Sequence, residues 1–348
     1  MMKTMNLDKL KLTVQKNCNI ADARHAQSYS MCIYLMKMRE YFRWEQGYLF
    51  TENLPKAALG DWITQREQAW EGLEAEPYQP LNIDGQSIDP FETEAINALL
   101  IPNGQLYSAG YGRYGQAHFF LGHLANVVEQ PGFVVYYSGQ EYARDLTSPP
   151  AMVRGNQVFI REESYKRMIW EKIQEWGWLK HKEKTAMGEA LCAYQYDTDP
   201  MQALNNLAKD ELDTVLWHEM GEWHTRQTLG DGWLDMVQQL VAQQENIARA
   251  VKDLLVDCRH TLPKLLEKGH AASIHFYFAQ LQSTRKTLFP MLIEAYVDWQ
   301  TSGSTQALHV CVDKGATHWF DVATQMMAQV NTGQLETNPD FLIRQMAL

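Results

Sequence analysis

The sequence predicts a mainly α protein, a multi-helix domain with a small α/β section near residues 105–162. Three observations carry this. Residues 19–45 hold no Gly or Pro and are rich in Ala, Met and Leu, the residues that lose least on entering a helix. Residues 201–228 and 232–258 also read as helices. Between 105 and 162 Gly and Tyr become frequent, and β-type runs occur at 132–137 and 157–160.

In chain order, residues 1–18 read as a polar lead-in. Asn19 suits the N-cap of the first long helix, Asp22 its first turn, and Gly47 its stop. A helix over 59–73 carries Trp62 and Trp70; Pro77, Pro80 and Pro90 mark a loop, and 91–100 a short helix. Inside the α/β section, 118–130 reads as a helix and Pro149-Pro150 as a loop. Helices then return at 164–176, 201–228, 232–258, 263–283 and 284–300, with Pro200 near the first turn of the second. Residues 308–312 read as one more strand and 316–330 as the last helix. This gives three sections, 1–104, 105–162 and 163–348, with 19–46 able to pack against the last as one unit. No repeat or low-complexity tract is visible.

Composition narrows the function classes. The 348 residues are 45% hydrophobic and 21% charged, enough to bury a core without disulfides. A formal net charge of −11 disfavours nucleic acid and anionic membranes as partners. The five cysteines are scattered, odd in number and without a Cys-x-x-Cys pair, which predicts reduced thiols and a cytoplasmic location. Residues 1–15 lack an apolar signal core, and no run of about 18 apolar residues exists, so neither a signal peptide nor a membrane span is expected.

The chemistry concentrates in Thr214-Val-Leu-Trp-His-Glu-Met-Gly-Glu-Trp-His224. On a helix, His218 and Glu222 share a face, and Glu211 falls near the same stripe. The pattern is one residue short of the zinc-peptidase motif His-Glu-x-x-His, because Glu222 stands where the second His belongs. A zinc reading makes His218 and Glu222 ligands and Glu219 the general base for a metal-bound water, with Gly221 leaving room beside them. A di-iron reading takes Glu211, His218 and Glu222 from one helix and further ligands from another. The first long helix offers Asp22, His25 and Glu40 on a stripe that also holds Tyr29, Cys32 and Met36. The bland alternative is a set of buried ion pairs. Geometry separates these: a metal needs a carboxylate or His from another segment within about 5 Å, whereas facing Arg or Lys favours ion pairs.

Other patterns are weaker. Asp253, Asp257 and His260 share a face if their helix runs that far, and Glu294 and Asp298 are four apart, but solvated helix faces look the same. His118 with His123 and His270 with His275 are five apart and read as structural. Gly110-Tyr-Gly-Arg-Tyr-Gly115 matches Gly-x-Gly-x-x-Gly, yet no buried strand precedes it and no acidic residue follows at the right distance, so a Gly-rich turn is the better reading. Arg144-Asp145 reads as an ion pair.

The stretch Asn17-Cys-Asn-Ile-Ala-Asp-Ala-Arg-His25, continuing through Cys32 to Met38-Arg-Glu-Tyr-Phe-Arg-Trp-Glu45, resembles the N-terminal signature of an uncharacterised bacterial protein family. Arg144-Asp145, Pro149-Pro-Ala-Met152 and His218-Glu-Met-Gly-Glu222 are similar to it too. The resemblance covers most of the chain and implies one full-length unit rather than a fusion. It brings no activity and no site residues. The function expected from the residues themselves is a cytoplasmic, metal-dependent, hydrolase-like enzyme acting on a small molecule, with zinc or iron as the metal. An iron oxidase or oxygenase and a non-enzymatic helical binding protein are the alternatives.

Overall fold

The computed structural model describes residues 6–112, 115–179, 185–281 and 283–348. The chain divides into two compact units, Met1–Trp178 with Asp199–Ala208, and Leu179–Thr198 with Lys209–Leu348. It is mainly helical, with a small α/β section, as the composition and periodicity predict.

The first unit begins with α1 (Leu7–His25), α2 (Met31–Gln46) and α3 (Lys56–Trp70), then a two-stranded hairpin, β1 (Leu81–Ile83) and β2 (Gln86–Ile88), and α4 (Thr93–Leu100). A five-stranded sheet follows: β3 (Gln105–Tyr111), β4 (Ala117–Gln130), β5 (Phe133–Arg144), β6 (Ala151–Arg154) and β7 (Gln157–Arg161), in the order β3-β4-β5-β7-β6. Only β5 and β7 are parallel. The unit continues into α5 (Glu162–Gly177). Leu10, Val14, Cys18 and Ala21 form a stripe on α1 that shares a core with Phe119, Leu121 and Ala143 of the sheet. Phe120 points the other way and packs with Leu106 and Phe159, the alternation a strand requires.

Several expectations are corrected here. The polar lead-in is helical, since α1 starts at Leu7 with the Asn6 side chain accepting from the Lys9 N–H at 3.0 Å. The helix read over 19–45 is two helices. Ser28 bonds the His25 carbonyl at 2.7 Å, and Tyr29 and Ser30 are extended, so the chain breaks between α1 and α2. The segment 118–130 is β4, not a helix. Bulges between Leu121 and Asn126 shift its phase, so its apolar residues mimic a helical spacing. Gly122 sits at such a shift, where a Cβ would lie 2.4 Å from Ser138 Oγ.

In the second unit are α6 (Ala186–Ala193), α8 (Leu212–Leu229), α9 (Gly232–Gln238), α10 (Ala242–Val256), α11 (Leu262–Lys268), α12 (Ala271–Gln280), α13 (Ser283–Leu288), α14 (Pro290–Ser302), α15 (Gln306–Asn331) and α16 (Pro339–Met346); α7 (Pro200–Asp210) spans the boundary. A π turn over Asp257–Thr261 joins α10 to α11. The core forms around Val251, Leu254 and Leu255 of α10 and Leu308, Val312, Trp319 and Met326 of α15. Residues 308–312 are therefore helical rather than a strand: their apolar positions continue the α15 stripe. The helix read over 201–228 breaks at Glu211, between α7 and α8. Among the described residues no helix is long and apolar enough to cross a membrane.

Candidate metal centre

The face of α8 that carries His218 and Glu222 lies against α10 and the π turn. Gly221 makes this approach possible. A Cβ there would stand 2.7 Å from Val256 Cγ1 and 2.8 Å from His260 Cβ, too close for either neighbour. The α10 side presents Asp253 one turn before Asp257, which opens the π turn. Single π turns recur at functional sites, because the extra residue re-aims the side chains around it.

His218 is held from one side. Its Nδ1 lies 3.2 Å from Asp257 Oδ1. The other Asp257 oxygen accepts from the Tyr277 hydroxyl and from an Arg285 nitrogen, each at 2.8 Å. A buried carboxylate with these partners keeps its charge and takes the imidazole N–H at Nδ1. The Nε2 lone pair of neutral His218 is then free, and it faces Glu222, whose Oε1 is 4.0 Å away. Ligand atoms of His218, Glu222 and Asp253 all lie within 4.8 Å of one another. Two ligands on one tetrahedral zinc stand roughly 3–3.5 Å apart, so small side-chain rotations would close the set on an ion.

The electrostatics are finely balanced. Burial pushes the His218 imidazole down, but the Asp257 hydrogen bond and charge, with Glu222 and Asp253, outweigh it and raise its pKa to about 9. Burial lifts the Asp257 carboxyl, yet His218 and Arg285 hold it below the usual range. Asp253 goes up, through burial and the Glu222 charge, against Arg285. Glu219 is pushed by burial to about 7, with the charges of Glu222 and Asp253 raising it and those of His218 and Lys252 opposing. That is the value suited to a general base at neutral pH. Lys252 pairs with Glu222 through the oxygen that does not face His218. With His218 neutral, Glu219, Glu222, Asp253 and Asp257 face Lys252 and Arg285. Acidic groups then outnumber the basic ones, and a cation at this face would offset the excess.

The sequence-predicted residues divide. His218 and Glu222 come together with Glu219 beside them. Glu211 does not join the group. Because α8 begins after it, its buried carboxylate turns to the Thr214 hydroxyl at 2.8 Å, at the helix start. In the first unit Asp22 accepts the Leu146 N–H at 2.8 Å, and Glu40 is gripped by Arg39 at 2.8 Å and Arg43 at 3.0 Å. His25 ends α1, its imidazole pushed down by burial and then by His118 and Arg24. The chain break after His25 splits the predicted stripe, so Asp22 and His25 are on α1 and Glu40 on α2. Asp253 was legible only as part of a possible helix face. Its signal was the pair Asp253/Asp257, four apart like His218/Glu222, which lets two helices present matching rows.

The secondary patterns resolve as packing. Gly110 and Tyr111 end β3, and an antiparallel strand follows, which is not the strand-turn-helix order of a dinucleotide fold. Arg113 and Tyr114 of that turn lie outside the described residues. His118 Nδ1 lies 3.3 Å from the Asp145 carboxylate, and Arg144 Nε donates to the Asp145 carbonyl at 3.2 Å, so the side-chain partner of Asp145 is His118 rather than Arg144. His260 stacks on His224, ring centroids 5.2 Å apart.

No curated protein and no solved structure matches the chain. Two family models do, one for an N-terminal domain over residues 9–161 and one for a C-terminal domain over residues 166–345. The α8–α10 face lies within the second. The chain belongs to the family of unknown function DUF6866.

Proposed function

We propose that the second unit is a metal-dependent enzyme of hydrolase type acting on a small molecule in the cytoplasm. His218 Nε2, Glu222 and Asp253 hold one divalent ion, zinc or iron, and Glu219 serves as base for a water on that ion. The observation that carries this reading is the grip of Asp257 on His218 Nδ1 at 3.2 Å. A carboxylate on the far nitrogen fixes the tautomer, aims Nε2 and raises its basicity, the arrangement metal-binding histidines recur in. When bound, the metal supplies a Lewis acid and lowers the pKa of its water. Glu219 would take the proton of that water, and Arg285 keeps Asp257 charged. Three protein ligands would leave room on the ion for that water. The five unpaired cysteines agree with a reducing compartment.

Lys252 on Glu222 supports a second reading, a metal-free network that pins α8 to α10 through charge. The iron oxidase alternative draws less support, since among the described residues one group offers three close ligand atoms and Asp22 and Glu40 have partners of their own.

Metal-loaded protein screened against small esters, amides and phosphoesters tests the activity, with Glu219→Gln beside it. The reading expects turnover in the parent and a loss of about 10²–10⁴-fold in the variant at unchanged metal content. Turnover that Glu219→Gln leaves intact would remove Glu219 from the chemistry. A metal-loaded parent inert to all three classes would count against a hydrolase.

A further inference from the structure

The first unit holds a cavity of about 420 Å³ between the α1–α2 turn and the C-terminal end of α3. That is a volume typical of small-molecule sites. Its chemistry is one-sided. Tyr29, Tyr34 and Trp70 supply aromatic wall, and Glu67, Glu71 and Glu74 supply carboxylates. Among the described residues that line it, none is basic.

The carboxylates stand where physics disfavours them. Glu67 is in the last turn of α3, Glu71 caps it, and Glu74 lies in the short 3₁₀ turn that follows. A helix C-terminus is the negative end of the macrodipole and prefers Lys, Arg or His, yet the last turn of α3 has no basic residue. The neighbouring cations are engaged elsewhere. Lys37 lies 5.7 Å from the Tyr29 ring centroid but pairs with Glu171 at 3.1 Å. Arg24 donates to the backbone carbonyls of Glu74 and Glu76 and stacks on Tyr78. The one hydrogen bond to these carboxylates among the described residues is from the Tyr34 hydroxyl to Glu67, at 2.8 Å. Trp70 is 6% exposed, and its indole N–H is buried with no partner. A buried donor of that kind is costly unless an acceptor reaches it.

We infer that this cavity is a binding site for a small organic ammonium ion, preferably an alkylated amine. Aromatic faces attract a cation whose charge is spread over methyl groups, and the surrounding carboxylates add attraction without needing to converge on a point. A bare metal ion gains little here: the aromatic wall offers it no ligands, and these carboxylates do not form a group with ligand atoms close together. The inference concerns the first unit alone and stands whether or not the second unit binds metal.

Calorimetric titration of the full chain with choline tests it, with 3,3-dimethylbutan-1-ol as the uncharged carbon isostere. Choline is expected to bind, and the isostere to bind at least about tenfold more weakly, since only charge separates them. Added salt should weaken choline and leave the isostere unchanged. Glu67→Gln/Glu71→Gln, which changes two exposed side chains, should lose about tenfold in choline affinity at unaltered melting temperature. Equal binding of choline and the isostere would reduce the cavity to an apolar pocket. Absence of choline binding at millimolar concentration, or full affinity in the double variant, would overturn the assignment.

Discussion

His218 must satisfy two neighbours at once. Asp257 takes its Nδ1, its Nε2 faces Glu222, and Asp253 brings a ligand atom within 4.8 Å of both residues. Removing the first should weaken the second. Asp257→Asn is expected to lower zinc affinity about 10- to 100-fold, read by competition with a chromogenic chelator. Unchanged affinity would mean that the imidazole needs no orienting partner. The pH dependence follows from the same contacts. The metal-free protein keeps His218 protonated up to about pH 9, and a metal ion must displace that proton. Zinc affinity measured by titration should therefore climb about tenfold per pH unit from 6 to 8 and flatten towards 9. For the metal-free protein the sign is opposite. A raised imidazole pKa stabilises the fold fully below about 6.5, and that contribution fades as pH rises through 9.

At the scale of elements, the site depends on how closely α8 meets α10. Gly221→Ala is the direct probe. Alanine favours a helix over glycine by up to about 1 kcal/mol, but a methyl group 2.7 Å from Val256 must push the helices apart. A net loss of about 1–3 kcal/mol is expected in urea denaturation, together with weaker metal binding. A gain in stability would show that the two helices have slack. Legibility in the sequence followed the same lines. His218, Glu219, Gly221 and Glu222 could be read because their spacing is local to one helix. Asp253 could not be chosen over other acidic residues, because its role depends on a partner helix, with His218 35 residues before it. Glu211 misled because the break between α7 and α8 is marked by no Gly or Pro. The strand β4 misled for a related reason: its bulges erase the two-residue alternation by which a strand is recognised.

Across the whole molecule, the mainly helical class was readable because the helical segments are long and rich in residues of high propensity. The division was less so, since the boundary passes through α7 without a linker-like composition. Each unit carries its own buried charge. In the first, Arg161 grips Glu141 through two hydrogen bonds of 2.8 Å, both side chains fully buried. Burial lifts the Glu141 carboxyl, but Arg161 outweighs it and holds it below its ordinary value. A depressed carboxyl contributes stability above its unfolded pKa of about 4.3, and that stability is lost as pH falls through the folded value. Glu141→Gln is thus expected to cost about 3–5 kcal/mol at neutral pH and less in acid, because it leaves Arg161 buried and uncompensated. Denaturation at pH 7 and pH 3 reads both; an equal cost at the two values would take this pair out of the acid response. The second unit keeps its charges around the α8–α10 face, where the proposed divalent ion would offset the excess of acidic groups. Metal content is therefore the most direct test. Protein expressed without a His tag, and its His218→Ala variant, would be analysed for zinc, iron and manganese after gel filtration. Near-stoichiometric metal in the parent and almost none in a folded variant is the expected result. A folded parent free of metal, and unable to take up zinc on addition, would contradict the account and leave the charge network that Lys252 and Arg285 complete.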